Sequence, residues 1–195
     1  MILTGDLGSL QPDLALAPLA QALGRRPAAA SAPKPVYQDP RIVILDMPEA
    51  VQATVQVGCG APGRRHPDWA ALKLAGHVLA GGFASRLNLE LRERRGLTYG
   101  INGGFTAQPV DARFLVSGSF RTGVAVSAIL RILEDVAMET SITEAEAADA
   151  RRFLVGIAPL ANETAAAITR QASVLAGAGE PPSFVNEHFA ALGQV

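Results

Sequence analysis

An arginine and a tyrosine seven residues apart, Arg92 and Tyr99, are the side chains of this sequence best placed to do chemistry. They lie in the stretch that begins Gly81-Gly82-Phe83-Ala84-Ser85-Arg86-Leu87 and ends Leu91-Arg92-Glu93-Arg94-Arg95-Gly96-Leu97-Thr98-Tyr99-Gly100. The pattern reads as a glycine turn, a short charged helix, a glycine stop and the start of a strand. Arg92 falls in the last helical turn and Tyr99 just beyond the reversal. A guanidinium and a phenol so placed can donate hydrogen bonds to one carbonyl oxygen. Arg94, Arg95, Glu90 and Glu93 read as the solvated face of the same helix.

Other chemistries lack their residues. Gly-x-Ser-x-Gly does not occur, and nothing marks Cys59 as an activated thiol. The Gly81-Gly82 turn has neither the dinucleotide nor the Walker glycine pattern. The three histidines, His66, His77 and His188, include no pair at zinc-ligand spacing. A surface or satisfied core histidine is the reading for His66 and His188.

The elements that position Arg92 and Tyr99 follow from periodicity. Residues 12–23 form a helix with Asp13 early and Gly24 after it. Residues 25–40, with four prolines, form a linker. Ile42-Val43-Ile44-Leu45 is apolar on both faces, as in a central strand. Pro48-Glu49 turns the chain into a half-buried strand in which Val51, Ala53, Val55 and Val57 alternate with polar residues. A helix over 68–80 turns Ala71, Leu74, Ala75, Val78 and Leu79 inward and stops at Gly81-Gly82. Ser85 caps the next helix, Leu87 and Leu91 face the core, and Gly96 takes the left-handed position.

Two strands follow. Tyr99, Ile101, Gly103 and Phe105 share one face, and Phe114, Val116, Gly118 and Phe120 share another, with the connection at 108–111. The glycines imply close approach of a second backbone or a bulge. Thr122 caps a helix with Val126, Ile129, Leu130 and Leu133 as its stripe. Thr143 and Glu146 form a capping box with Ile142 just outside it. Asn162 caps a further helix that stops near Gly177–Gly179, and Pro181-Pro182 precedes the last. The order implies an α+β fold, a mostly antiparallel sheet covered on one face by helices.

At 195 residues the chain suffices for one domain with a sizeable core. A net charge of −1 argues against broad attraction to nucleic acid or anionic lipid. No apolar run reaches the roughly 18 residues of a membrane span. Residues 12–23 lack the basic lead of a signal peptide. A single cysteine excludes an internal disulfide and a thiolate zinc cluster. Met1-Ile2-Leu3-Thr4 reads as the second half of a strand, so the sequence is expected to be a piece of a longer protein.

The segment from Gly81 to Gly100 resembles the "GG-x-x-SRL … LRE-x-x-GL-x-Y" run of the pitrilysin/insulinase-like zinc peptidases, which include the mitochondrial processing peptidases. Gly5-Asp6, Gln52, Gly58 and Pro67-Asp68 also fit. The resemblance implies an α/β roll forming the zinc-free half of a two-part endopeptidase. It also implies that residues 1–195 lack a last helix and strand.

In such a half the arginine–tyrosine pair, here Arg92 and Tyr99, contacts the scissile carbonyl across a closed chamber and stabilises the tetrahedral intermediate. Gly82, Phe83, Ser85 and Gly100 would contact substrate. Laid over the family's His-x-x-Glu-His helix, Lys73-Leu74-Ala75-Gly76-His77 keeps only His77. Zinc is therefore expected in the partner half and not in this chain. The expected partners are that zinc-bearing half, in the same polypeptide or another subunit, and a peptide substrate. A catalytically inactive scaffold subunit and a component of cofactor-maturation proteolysis are the alternatives. Relatives in Gram-negative bacteria give a preference for the periplasm.

Overall fold

Alternating small and branched residues build a three-stranded antiparallel sheet in the order β1-β3-β2, formed by β1 (Gln52–Ala61), β2 (Ile101–Ala107) and β3 (Ala112–Arg121). This computed structural model describes residues 2–24, 40–108, 111–137 and 140–195. The linker expected over 25–40 lies outside the described residues except for Pro40. The period of two is cleanest in β3, where Ala112, Phe114, Val116, Gly118 and Phe120 are buried. Its register sets Val116 opposite both Val57 and Gly103.

The helices are α1 (Pro12–Leu23), α2 (Trp69–Gly76), α3 (Ala125–Val136), α4 (Glu144–Ala161), α5 (Ala165–Gly177) and α6 (Phe184–Gln194), of which α2 and α3 pack on the sheet. α2 runs on as a π-helical turn, His77–Gly81, and a second π-helix spans Asn88–Arg94. The main core joins Val55, Ile101, Phe114, Val116 and Phe120 of the sheet to Leu79, Ala80, Leu87, Leu91, Ala128 and Ile132 of the helices. A second cluster packs Ala70, Leu74 and Val78 against Ala150 and Leu192, which brings α4 and α6 onto α2.

Local signals set several boundaries. The Thr143 hydroxyl accepts from the Glu146 N–H, and the Glu146 carboxylate accepts from the Thr143 N–H at 2.8 Å, completing the capping box. Ile142 and Ala147 pack in one cluster beside it, as in a hydrophobic staple. Gly96 has φ +60° and ends the second π-helix. Gly103 marks the close approach between layers: a Cβ there would lie 2.9 Å from the Ala80 Cβ and 2.7 Å from the Leu115 carbonyl oxygen.

The structure corrects several expectations. Residues 42–45 carry no regular structure, and Ile42, Val43, Ile44 and Leu45 are between 70% and 91% exposed. An apolar run becomes a strand only where a neighbour pairs with its backbone, and no described strand does so. Residues 2–6 likewise form no strand; the Thr4 hydroxyl instead donates to the Ala165 carbonyl oxygen at 2.8 Å.

On α3, Val126, Leu130 and Leu133 face outward while Ala125, Ala128 and Ile132 are buried. The smaller residues allow closer approach to the sheet. Thr164, not Asn162, caps α5, accepting from the Ala167 N–H at 3.1 Å. Asn162 closes α4 instead. Tyr99 precedes β2 and does not share the buried face of Ile101: it is 96% exposed.

Candidate functional site

Two π-helical turns flank the Gly81–Ser85 reversal, and a buried amide holds it in place. The Ser85 N–H donates to the Gly82 carbonyl oxygen at 3.0 Å. Asn88, 4% exposed, donates from Nδ2 to the carbonyl oxygens of Gly82 (3.0 Å) and Ile101 (2.9 Å) and to Ser85 Oγ (3.1 Å). Its Oδ1 accepts from the Ile101 N–H at 2.8 Å. The amide thus pairs with both backbone groups of Ile101, as a neighbouring strand would, and fastens the turn to the start of β2. Sequence reasoning missed Asn88. A polar residue between Leu87 and Leu89, three before the core-facing Leu91, was the available signal.

The fastened turn borders a cavity of about 580 Å³. Its walls are the turn residues Gly81, Gly82 and Phe83, Asn88, the segment Thr98–Asn102, and the sheet at Gln52 and Ser117–Ser119. Of the residues singled out from sequence, Gly82, Phe83, Tyr99 and Gly100 line this one space. Ser85 is buried at 3% exposure and does not line it. Its hydroxyl accepts from Asn88, which itself lines the cavity.

Arg92 also lies outside the lining, but one residue links it to the cavity. Its guanidinium lies over the Phe83 ring, 3.6 Å from the centroid. Nη1 lies 3.1 Å from the Glu93 carboxylate, an ion contact without hydrogen-bond geometry, so this buried nitrogen has no hydrogen-bond acceptor. Arg92 thus meets the cavity only through Phe83, whereas Tyr99 lines it directly.

The neighbouring charges are structural. Glu90 binds Arg95 at 2.7 Å and Arg94 at 3.2 Å, with Arg131 of α3 at 4.0 Å. The hydrogen bond from Arg95 holds the Glu90 carboxyl below its usual range, with Arg94 and Arg131 adding to the effect. These contacts anchor the second π-helix on α3, beyond the solvated face expected of Arg94 and Arg95.

The zinc question turns on α2. The Lys73 ammonium donates to the Phe105 carbonyl oxygen at 2.8 Å, and His77 stacks on Phe153 with ring centroids 4.7 Å apart. Burial, followed by the nearby Lys73 charge, lowers the His77 pKa. Among the described residues no three His, Cys, Asp or Glu side chains gather as a metal-ligand set. A cation at the first ligand position does not fit zinc. Among the described residues, no helix is long and apolar enough to cross a membrane.

The chain is 33% identical over 99 residues to a non-peptidase homolog, YmxG, of Helicobacter pylori, covering 50% of this chain and 23% of that protein. It is 32% identical over 142 residues to an uncharacterized zinc protease of Mycobacterium bovis, covering 68% of this chain and 31% of the relative. It therefore spans less than a third of the length of either. A crystal structure of a peptidase M16 inactive domain from Pseudomonas fluorescens superposes with a TM-score of 0.85 at 27% identity, over 98% of this chain and 46% of the other. Residues 7–154 match the model of the peptidase M16 inactive domain, and the chain belongs to that family.

Proposed function

We propose that this chain is the zinc-free half of a two-part metalloendopeptidase, in which it binds peptide and supplies hydrogen-bond donors to the reacting carbonyl. The observation that carries this reading is the buried Arg92 Nη1 without an acceptor, set beneath the ring that walls the cavity holding Tyr99. Its charge is met by the Glu93 carboxylate at 3.1 Å, but its hydrogen-bond donor is unused, and a ligand oxygen would satisfy it. Zinc in the partner half would supply the activated water. As that water adds to the scissile carbonyl, the carbonyl oxygen gains a full negative charge. The Tyr99 hydroxyl and the Arg92 guanidinium donate to it, stabilising the intermediate more than the ground state. Gly82, Phe83 and Gly100 form the contact surface, and Ser85 acts behind it by holding the turn.

The test combines the chain with its zinc-bearing half and follows cleavage of a quenched peptide. Arg92→Ala and Tyr99→Phe should each lower turnover by about a hundred- to thousandfold while assembly persists. Unchanged turnover in both removes the catalytic role.

A second reading, a scaffold subunit without proteolytic function, is favoured by the likeness to a relative named as a non-peptidase homolog. It predicts a stable complex with the other half and no cleavage by wild type under any condition.

A further inference from the structure

Lys73 stands at the centre of a group of cations with no acid among its electrostatic partners. Its ammonium carries three donors and spends one on the Phe105 carbonyl oxygen, beside the Trp69 ring at 5.9 Å. Arg64, in the loop leading to α2, sets its guanidinium 6.0 Å from the centroid of Phe184, and its Nη1 is buried without a hydrogen-bond partner. His188 of α6 stacks on the same Phe184 ring, with centroids 5.8 Å apart and planes 10° from parallel.

The fields agree with the geometry. Burial and then Arg64 lower the Lys73 pKa; burial, Lys73 and Arg64 lower that of His188. Nearby acids are engaged elsewhere: Glu180 binds Arg65 at 3.0 Å, and Asp68 lies 3.7 Å from His66. Asp111 borders the loop cavity in front of Arg64 but does not contribute to the field at Lys73 or His188.

Partly buried cations gathered without a counter-charge are costly, and the cost falls when an anion joins them. We propose that Arg64, Lys73 and His188 form a receptor for a carboxylate group, walled by Trp69 and Phe184. Burial and the Lys73 and Arg64 charges disfavour the charged form of His188. The charged donors are then one guanidinium edge and the two remaining ammonium protons, a set matched to the two oxygens of a carboxylate. The source is the C-terminus or an acidic side chain of a bound peptide. That source rests on the peptide-binding reading above; the receptor itself does not.

The test titrates the 195-residue chain with sodium acetate against sodium chloride at matched ionic strength, reading the His188 ring by nitrogen–proton NMR. Acetate is expected to shift the ring saturably and chloride is not. Lys73→Met and, independently, Arg64→Gln should each weaken the apparent Kd by about tenfold or more. Tyr99→Phe should leave it unchanged, which separates this site from the proposed catalytic one. A short peptide with a free C-terminus should compete with acetate. If its C-terminal amide competes only when an aspartate is included, the acidic side chain is the source. Absence of a saturable acetate shift, an equal shift in both variants, or binding of inorganic phosphate without acetate would each overturn the proposal.

Discussion

The Arg92 guanidinium lies over the Phe83 ring at 3.6 Å, a side-chain contact between the Gly81–Ser85 reversal and the last turn of the second π-helix. Phe83 belongs to the reversal after the first π-helical turn, and Arg92 to the second π-helix. Because Phe83 is also cavity wall, the position of the cation and the shape of the binding surface are set together. Arg92→Lys should not substitute: an ammonium lacks the planar face that stacks on the ring and the forked donors. In the assembled enzyme, turnover of that variant should stay close to that of Arg92→Ala, measured with the same quenched peptide.

Phe83→Ala separates orientation from folding. Phe83 is 73% exposed, so its removal should cost about 0.5–1 kcal/mol, the worth of an exposed cation–π contact. Peptide cleavage in the assembled enzyme should fall by more than this small change in stability explains. Urea denaturation and kinetics on one preparation make the comparison.

Asn88→Ala should be the more damaging change. It strips the Ile101 N–H and carbonyl of partners and leaves the Gly82 carbonyl and the Ser85 hydroxyl without the amide. With each buried unsatisfied group costing about 1–3 kcal/mol, a loss of about 3 kcal/mol or more is expected. Asn88→Asp should not rescue it. A carboxylate can still accept from the Ile101 N–H but cannot donate to three oxygens. Urea midpoints for the two variants check the prediction.

What the sequence disclosed and what it withheld divide by the range of the interactions. The Thr143–Glu146 capping box, the stop at Gly96 and the alternation along β3 rest on neighbours a few residues away, and all three were legible. Gly82, Phe83, Tyr99 and Gly100 line one cavity because one turn and one strand start carry them, while Arg92 and Ser85, grouped with them from sequence, lie outside its lining. Asn88 was not legible, because its role depends on the backbone of Ile101, thirteen residues on. α3 has apolar residues on two sides, and only packing against β1 and β3 chose Ala128 and Ile132 over Leu130 and Leu133. Ile42–Leu45 read as a strand because composition shows apolarity and not whether a pairing edge exists.

Glu146 gives the fold an acid-sensitive point. Its carboxyl is held down to about 2, chiefly by the hydrogen bond from Arg86, then by the Thr143 backbone and hydroxyl. Arg86 binds it through Nε at 2.7 Å and Nη2 at 2.8 Å, and also holds the Thr140 and Ser141 carbonyl oxygens at 2.8 Å each. The folded pKa lies below the unfolded value of 4.5, so this stability is fully present above about pH 5 and is lost as pH falls toward 2. The pair is partly open to solvent, and screening keeps the contribution to about 1–2 kcal/mol. In urea melts from pH 7 to pH 2.5, wild type should lose this increment below pH 5. Glu146→Gln should start less stable and show a flatter decline.

Gly103→Ala tests the contact between the sheet and the first π-helical turn. The added methyl would meet the Leu115 carbonyl oxygen at 2.7 Å, the Ala80 Cβ at 2.9 Å and the Val116 Cα at 3.0 Å. Two of these are backbone atoms of the central strand, and the third sits on a residue with no exposed surface, so none can swing aside as a flexible side chain would. Moving the helical turn relieves only the Ala80 contact, so the β2–β3 pairing must shift as well, at a cost of about 1–3 kcal/mol. That turn ends at Gly81 and carries the wall residues Gly82 and Phe83 behind it, so the displacement should reach the cavity. Thermal melts should show the lost stability, and the Phe83 ring resonances should shift. The neighbouring Gly100→Ala, whose Cβ would meet only the Asn88 Oδ1 at 3.8 Å, should leave the melting temperature nearly unchanged. Equal destabilisation by the two substitutions would show that backbone freedom, and not the layer contact at Ala80, is what position 103 requires.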